Sequence, residues 1–299
     1  MIDHFVLSTL VAPAALVASM AALVDRQQPA AATVAFISSA VVVAAASAVS
    51  VMAVSIHAVL LLVQGEPLEW PYWVALAFLV TAVATLAGGA RRERRSLCAA
   101  REQAAALPGD DVVVVVAEER PAAFTLPGRP GRIVVTRGML NALDEENHAV
   151  VMAHERAHLT GHHHRWLLAS RLAVAAHPFL WQVRHLGGYL IERWADEQAA
   201  EQIGDRRATA RAIAMAVLLS HDDGAPSGAL PFLARRGPGP VPRRIAALLK
   251  PLPGSRGAFL LVVPLLVAAG SVMWTGEAIV DLTQPGGPCT GGLSAERPR

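Results

Sequence analysis

His154-Glu155-Arg156-Ala157-His158 is the stretch of the chain whose residue types and spacing spell out a reaction. On a helix, positions four apart lie one above the other, so both imidazoles project from one face. Two such nitrogens can hold a Zn²⁺ ion at about 2.0–2.1 Å each. Glu155 sits beside the first ligand and can reach a water on that metal, whose pKa zinc lowers from 15.7 towards about 7. The carboxylate can then take the proton and pass it to a leaving amine. Five residues therefore predict two metal ligands, His154 and His158, and a catalytic general base, Glu155.

A catalytic zinc takes three protein ligands and keeps one position open. The expected third ligand is Glu192, in Glu192-Arg193-Trp194-Ala195-Asp196. Asp196, one turn later on the same face, is expected to accept a hydrogen bond from a ligand imidazole and fix its tautomer. Plainer readings compete. His154 and His158 could be two histidines satisfied within a bundle. Glu192 could be an exposed helix carboxylate paired with Arg193 or its neighbours, and Glu197 and Glu201 are further carboxylates close by. The helical context and the downstream Glu-x-x-x-Asp favour the metal site. His162-His163-His164 could hold metal or substrate, but the expectation is a polar helix end facing water. His177 and His185 are expected to be structural. His57, inside an apolar run, is either a functional group or a neutral histidine with a backbone partner.

These residues need elements to position them. Asp144, followed by Glu145 and Glu146, predicts the start of the helix that carries the motif. A second helix is expected from Trp166 to Val174, broken at His177-Pro178, and a third from near Gly188 through Glu192 to Ala200. Ahead of them, Asp111 to Ala117 is a valine run that predicts a buried strand. Ala123 to Gly128 and Arg132 to Thr136 predict a hairpin around a Gly/Pro turn.

The setting is apolar. Hydrophobic residues make up 54% of the 299 and charged ones 17%, against about a quarter charged in an average soluble domain. Much of the surface must therefore face something other than water. A net charge of +2 is too small to argue for nucleic acid, and no direct nucleic-acid binding is expected. Phe5 to Val24 is uncharged and long enough to cross a bilayer. Asp3 and His4 stand where a signal peptide would be basic, so this run is expected to be retained. Ala30 to Val63 is longer than one perpendicular crossing needs, and predicts either one long tilted helix or a span with an interfacial extension. Trp70, Tyr72 and Trp73 mark an interface before a third span at Leu76 to Ala87. Phe259 to Trp274 is the fourth apolar run.

Arg91-Arg92-Glu93-Arg94-Arg95 follows the third run directly, and Arg235, Arg236, Arg243, Arg244, Lys250 and Arg256 precede the fourth. The positive-inside rule puts both flanks in the cytoplasm. The resulting expectation is a mainly α, multi-span membrane protein. It has three transmembrane helices in 1–90, a cytoplasmic zinc domain with a small β-sheet in 91–256, a fourth transmembrane helix in 257–281 and a disordered tail in 282–299. The active site faces the cytoplasm and both termini lie outside. Cys98 and Cys289 then fall on opposite sides and cannot pair.

The residues also resemble a known group. Phe124-Thr125-Leu126-Pro127-Gly128, Ile133 to Leu140, His154-Glu155-Arg156-Ala157-His158-Leu159, and Glu192 with Ala195-Asp196 occur in this order in membrane zinc metallopeptidases of the BlaR/MecR antirepressor type. They also occur in the related HtpX-like quality-control proteases. The resemblance covers about Val112 to Ala200, and the antirepressor type is the closer in span count and in the form His-Glu-Arg-Ala-His. It implies zinc on His154, His158 and Glu192, Glu155 as base and Asp196 as support. The implied function is a zinc-dependent endopeptidase of the bacterial cell membrane that acts on a protein substrate, namely a cytoplasmic transcriptional repressor. General turnover of membrane proteins is the alternative, and a non-catalytic zinc-stabilised receptor or scaffold is a third reading. Those antirepressor proteins carry a penicillin-binding domain after the last span. Here about twenty-five residues follow Trp274, without an S-x-x-K motif, so β-lactam sensing by this chain is not expected.

Overall fold

The computed structural model of the chain describes residues 2–129, 131–222, 241–252, 254 and 259–283. Arg235, Arg236, Arg256, Cys289 and the tail from 284 lie outside the described residues. The part that is described is mainly helical with one small sheet.

Four apolar helical runs form one layer. The first is α1 (Ile2–Val6), a π-helical turn (Leu7–Val11) and α2 (Ala12–Leu23) in succession. Then come α3 (Pro29–Val63) and α4 (Trp70–Ala106). The last, labelled α11 here, is Val262–Thr283. Three of these helices, α3, α4 and α11, are long and apolar enough to cross a membrane, while the apolar stretch Leu7–Leu23 is shorter. The run at 30–63 is thus a single helix of 35 residues, about 52 Å long at 1.5 Å per residue. Proline at the start of α3 and α4 suits the first turn, where its missing N–H has no partner to lose. The arginine run at 91–95 lies inside α4, which continues unbroken for more than a dozen residues past the apolar part.

Small and hydroxylated residues let these helices approach. Ser8 Oγ donates to Ser50 Oγ at 2.9 Å, Ser50 and Thr275 hydroxyls are 2.9 Å apart, and Ser47 Oγ donates to the Ser8 carbonyl at 2.5 Å. All four side chains are buried. Buried hydroxyls that satisfy one another across helices are a common way to join apolar helices.

The sheet has order β1-β3-β2, with β1 (Val113–Val116) parallel to β3 (Arg132–Thr136) and β2 (Ala123–Leu126) antiparallel to it. The expected hairpin is β2–β3. The valine run, expected as a buried strand, is an edge strand instead. Val114 is buried but Val115, on the opposite face, is 53% exposed, and among the described residues β1 pairs only with β3. The central strand β3 is buried throughout. Its side chains alternate between two clusters: Val134 joins Leu126 and Ala100 and Ala104 of α4, while Ile133 and Val135 join Met139, Leu143 and Val151.

The remaining helices are α5 (Arg137–Ala142), α6 (Glu145–Thr160), α7 (His163–Ala176), α8 (Trp181–Ile203), α9 (Arg206–Asp222) and α10 (Val241–Leu248). Asp144 caps α6 as expected, its side chain accepting from the Asn147 N–H at 2.9 Å. The third expected helix starts earlier than Gly188, at Trp181, after a 3₁₀ turn at Pro178–Leu180. Gly187 lies inside α8, where a Cβ would stand 3.4 Å from Ile37 Cδ1, so α3 and α8 pack against each other there.

Candidate active site

Two helices bring the motif together. α6 carries His154, Glu155 and His158, and α8 packs beside it and carries Glu192 and Asp196. His154, Glu155 and His158 are each less than a tenth exposed. His154 Nε2 and His158 Nε2 are 3.1 Å apart, and each lies 3.7 Å from an oxygen of Glu192. Ligand atoms around a tetrahedral ion with bonds of about 2.0–2.1 Å stand roughly 3.3 Å from one another. The three side chains thus present one ligand atom each, all within 4.8 Å of one another, in a set of the kind that zinc takes. The charges fit too. Glu155, Glu192 and Asp196 set three carboxylates against one guanidinium, that of Arg244, an excess that a divalent cation neutralises.

Charged residues near Glu192 have partners of their own. Arg193 donates instead to the Val24 carbonyl at 3.0 Å. Glu197 is held by Arg206, and Glu201 is exposed. Glu192 faces His154, His158 and Arg244.

Asp196 stands where it was expected. Its Oδ1 lies 3.0 Å from His154 Nδ1, which leaves Nε2 of that imidazole free of its proton for a metal. Asp196 is 1% exposed. Burial alone would raise its pKa, but the charge of Arg244 and the hydrogen bonds from His154 and Arg244 outweigh burial and hold the carboxyl below its usual range.

Three contributors were not legible in the motif. The first is Arg244, on α10. Its Nε and Nη2 donate to the two Asp196 oxygens at 2.7 and 2.6 Å, and its Nη1 is 2.9 Å from Glu192 Oε2. Burial works against its charge, but Asp196 and Glu192 more than compensate and push its pKa up. In sequence it looked like one member of a basic flank.

The second is His163, expected as part of a water-facing histidine run. It is 1% exposed, with its Nδ1 2.8 Å from His158 Nδ1 and its ring 4.6 Å from that of Trp194. If His158 offers Nε2 to a metal, its Nδ1 carries the proton and donates to His163. The turn between α6 and α7 makes this reach possible. His162 adopts the left-handed φ of 49°, and a Cβ on Gly161 would collide with His163 Nε2 and lie 2.7 Å from its Cδ2. Gly161 in that position was the available signal. His164, next along, is partly buried, and burial first, then Arg165, His162 and Arg101, lower its pKa to about 4.

The third is Thr125 on the edge strand β2. Its hydroxyl lies 2.9 Å from Glu155 Oε2 and 3.0 Å from the Glu155 carbonyl. It holds the proposed base against the strand. His177 is fully buried and packs against Phe78 and Phe179, in line with a structural role, while His57 sits 5.7 Å from the Tyr72 ring.

Residues 89–223, somewhat under half of the chain, match the family model of peptidase family M48. No curated protein and no solved structure matches the chain. The family match supports a membrane metallopeptidase of the M48 type and a zinc-dependent reaction. It does not separate the antirepressor type from the HtpX-like type. It spans β1 to α9, including all five expected site residues, and stops short of Arg244.

Proposed function

We propose that the chain is a membrane-embedded zinc endopeptidase whose ligands are His154, His158 and Glu192 and whose general base is Glu155. The observation that carries this is the convergence of those three ligand atoms within 4.8 Å beside a buried Glu155. A zinc ion bound there supplies Lewis acidity towards a carbonyl and lowers the pKa of a bound water. The rest falls to the protein. Glu155 accepts the water proton and returns it to the leaving nitrogen. Thr125 fixes the carboxylate. Asp196 and His163 set the tautomers of His154 and His158, and Arg244 holds Asp196 and Glu192 in place. The outer edge of β2, next to α6, offers backbone groups to which an extended peptide can add. Proline placed along β2 without effect on cleavage would remove that edge from the mechanism.

The site is proposed to face the cytoplasm, with four spans and both termini outside. The arginine run at 91–95 supports this through the positive-inside rule. So do the contacts of the loop after α2: Asp25 accepts from Tyr189 at 2.7 Å and pairs with Arg243. Those contacts support a common side for that loop and the site, which four spans require. Glu155→Gln is the test of the enzyme reading. It should retain zinc and lose cleavage, whereas a variant as active as the parent defeats the assignment. For the substrate, the resemblance to antirepressor proteases makes a cytoplasmic transcriptional repressor the first proposal and general membrane-protein turnover the second. A pull-down with Glu155→Gln that returns a DNA-binding repressor favours the former.

A further inference from the structure

The connector between α7 and α8 lies well along the apolar helices from their charged ends. Two rulers measure how far. On α4, Arg171 of α7 pairs with Glu93 at 3.0 Å, Thr85 Oγ1 donates to the Ala175 carbonyl at 2.6 Å, and the His177 ring lies 5.3 Å from that of Phe78. Residues 171, 175 and 177 thus march along α4 antiparallel to it, from its arginine-rich part into its apolar part. Glu93 and Phe78 are fifteen residues apart, or about 22 Å along a helix. Along the first helical run, Asp25, just past α2, binds Tyr189 of α8, while Phe179 and Gln182 line a groove of about 510 Å³ with residues of that run from Leu10 to Ala21. These lie four to fifteen residues before Asp25, about 6–22 Å along a helix. Both helical runs place the turn inside their apolar parts.

The turn is built for such a place. From Leu172 to Val183 no residue carries a fixed charge. Phe179 and Trp181 are 50% and 57% exposed, as open as the apolar Leu10 and Val11 of the first helical run at 45% and 44%. The non-helical backbone is largely satisfied: His177 N–H donates to the Ala173 carbonyl, Leu180 N–H donates to the His177 carbonyl, and Pro178 has no donor. Irregular backbone at membrane depth needs that satisfaction, since lipid offers no partner.

We propose that the α7–α8 hairpin is a re-entrant loop that enters the bilayer from the side of the metal site, with lipid acyl chains covering Phe179, Trp181 and the groove beside α2. This rests on the membrane reading above and deepens it. The hydrocarbon core is about 30 Å thick, so a turn about 22 Å along α4 from Glu93 lies near its middle. Glu192, three residues beyond the Tyr189 that binds Asp25, then sits at the membrane surface, and the peptide bonds within reach are those next to a membrane. A substrate chain, a cytoplasmic repressor included, therefore has to be presented at the bilayer surface.

The test uses full-length protein in lipid vesicles, with Cys98→Ser and Cys289→Ser, and single cysteines Phe179→Cys, Val80→Cys and Glu145→Cys. A charged maleimide should label Glu145→Cys at least ~10-fold faster than Phe179→Cys, while both label equally after denaturation. An environment-sensitive dye at Phe179→Cys should be quenched best by lipids brominated near the chain centre, as at Val80→Cys on the lipid-facing side of α4. Labelling of Phe179→Cys at the rate of Glu145→Cys, or strongest quenching by lipids brominated near the headgroup, overturns the hairpin while leaving the membrane enzyme intact. Release of the whole chain by alkaline carbonate overturns the membrane reading itself.

Discussion

Replacing Asp196 with Asn, alone and together with Arg244→Met, separates what the buried pair does for the fold from what it does for the metal. Asp196 is 1% exposed and Arg244 7%, and their two hydrogen bonds of 2.6 and 2.7 Å are bidentate. Removing one partner of such a pair costs about 3–5 kcal/mol, because the other charge stays buried. Asp196→Asn leaves Arg244 with Glu192 at 2.9 Å, so its cost belongs near the lower end, about 3 kcal/mol. Arg244→Met leaves Asp196 with His154 alone and belongs near the upper end. The double variant strands neither charge, so it should lie roughly 3 kcal/mol above the sum of the singles. Denaturant unfolding of the zinc-free protein in micelles reads these differences.

The metal arm behaves differently. Asp196→Asn should weaken zinc about 10–100-fold, as loss of a carboxylate behind a ligand histidine does, measured by competition with a chromogenic chelator. The double variant should not recover that loss, since Met at 244 does nothing for His154 Nδ1. Stabilities that add within about 0.5 kcal/mol refute the pair. An unchanged zinc affinity in Asp196→Asn refutes the support of His154.

Other expectations follow from neighbouring residues. His163→Ala should weaken zinc by about 10-fold or more, while His163→Asn, which keeps an acceptor near the position of Nδ1, should recover part of it; equal losses in both would argue that His163 only fills space. Gly161→Ala should mimic His163→Ala in zinc affinity, because the added Cβ displaces that ring; parental affinity would show that the turn yields instead. Thr125→Val should lower kcat with little change in zinc affinity, by roughly tenfold for one hydrogen bond to a charged base, and an unchanged kcat would release Thr125 from the mechanism. His164 titrates near 6.5 in an unfolded chain and at about 4 here. The unfolded state therefore takes up the proton first, so this contribution to stability is full above pH 6.5 and is lost as pH falls from there towards 4. The parent should lose more stability between pH 7 and 5 than His164→Gln, and equal losses would contradict the burial.

Local chemistry was readable wherever few residues decide it. The spacing of His154 and His158, the Asp144 cap and the β2–β3 hairpin all depend on neighbours within a few positions, and all appear as expected. Glu192 and Asp196 were readable because one helix face carries both. What escaped depends on distant parts of the chain. β1 is an edge strand because of what the sheet lacks beside it, a fact that four consecutive valines cannot express. Helix α8 begins seven residues before Gly188, and Gly187 within it packs against Ile37, one hundred and fifty residues earlier. The basic flank before α11 reads as a topology signal, yet its two adjacent arginines divide their work. Arg243 holds Asp25 in the loop between the first two apolar helices, and Arg244 holds Asp196 and Glu192. Asp25 is also held by Tyr189 of α8, the helix that carries Glu192 and Asp196. The loop after α2 thus meets the candidate site through α8 and through α10, and of these two only α10 lies outside the part of the chain that the peptidase family model covers.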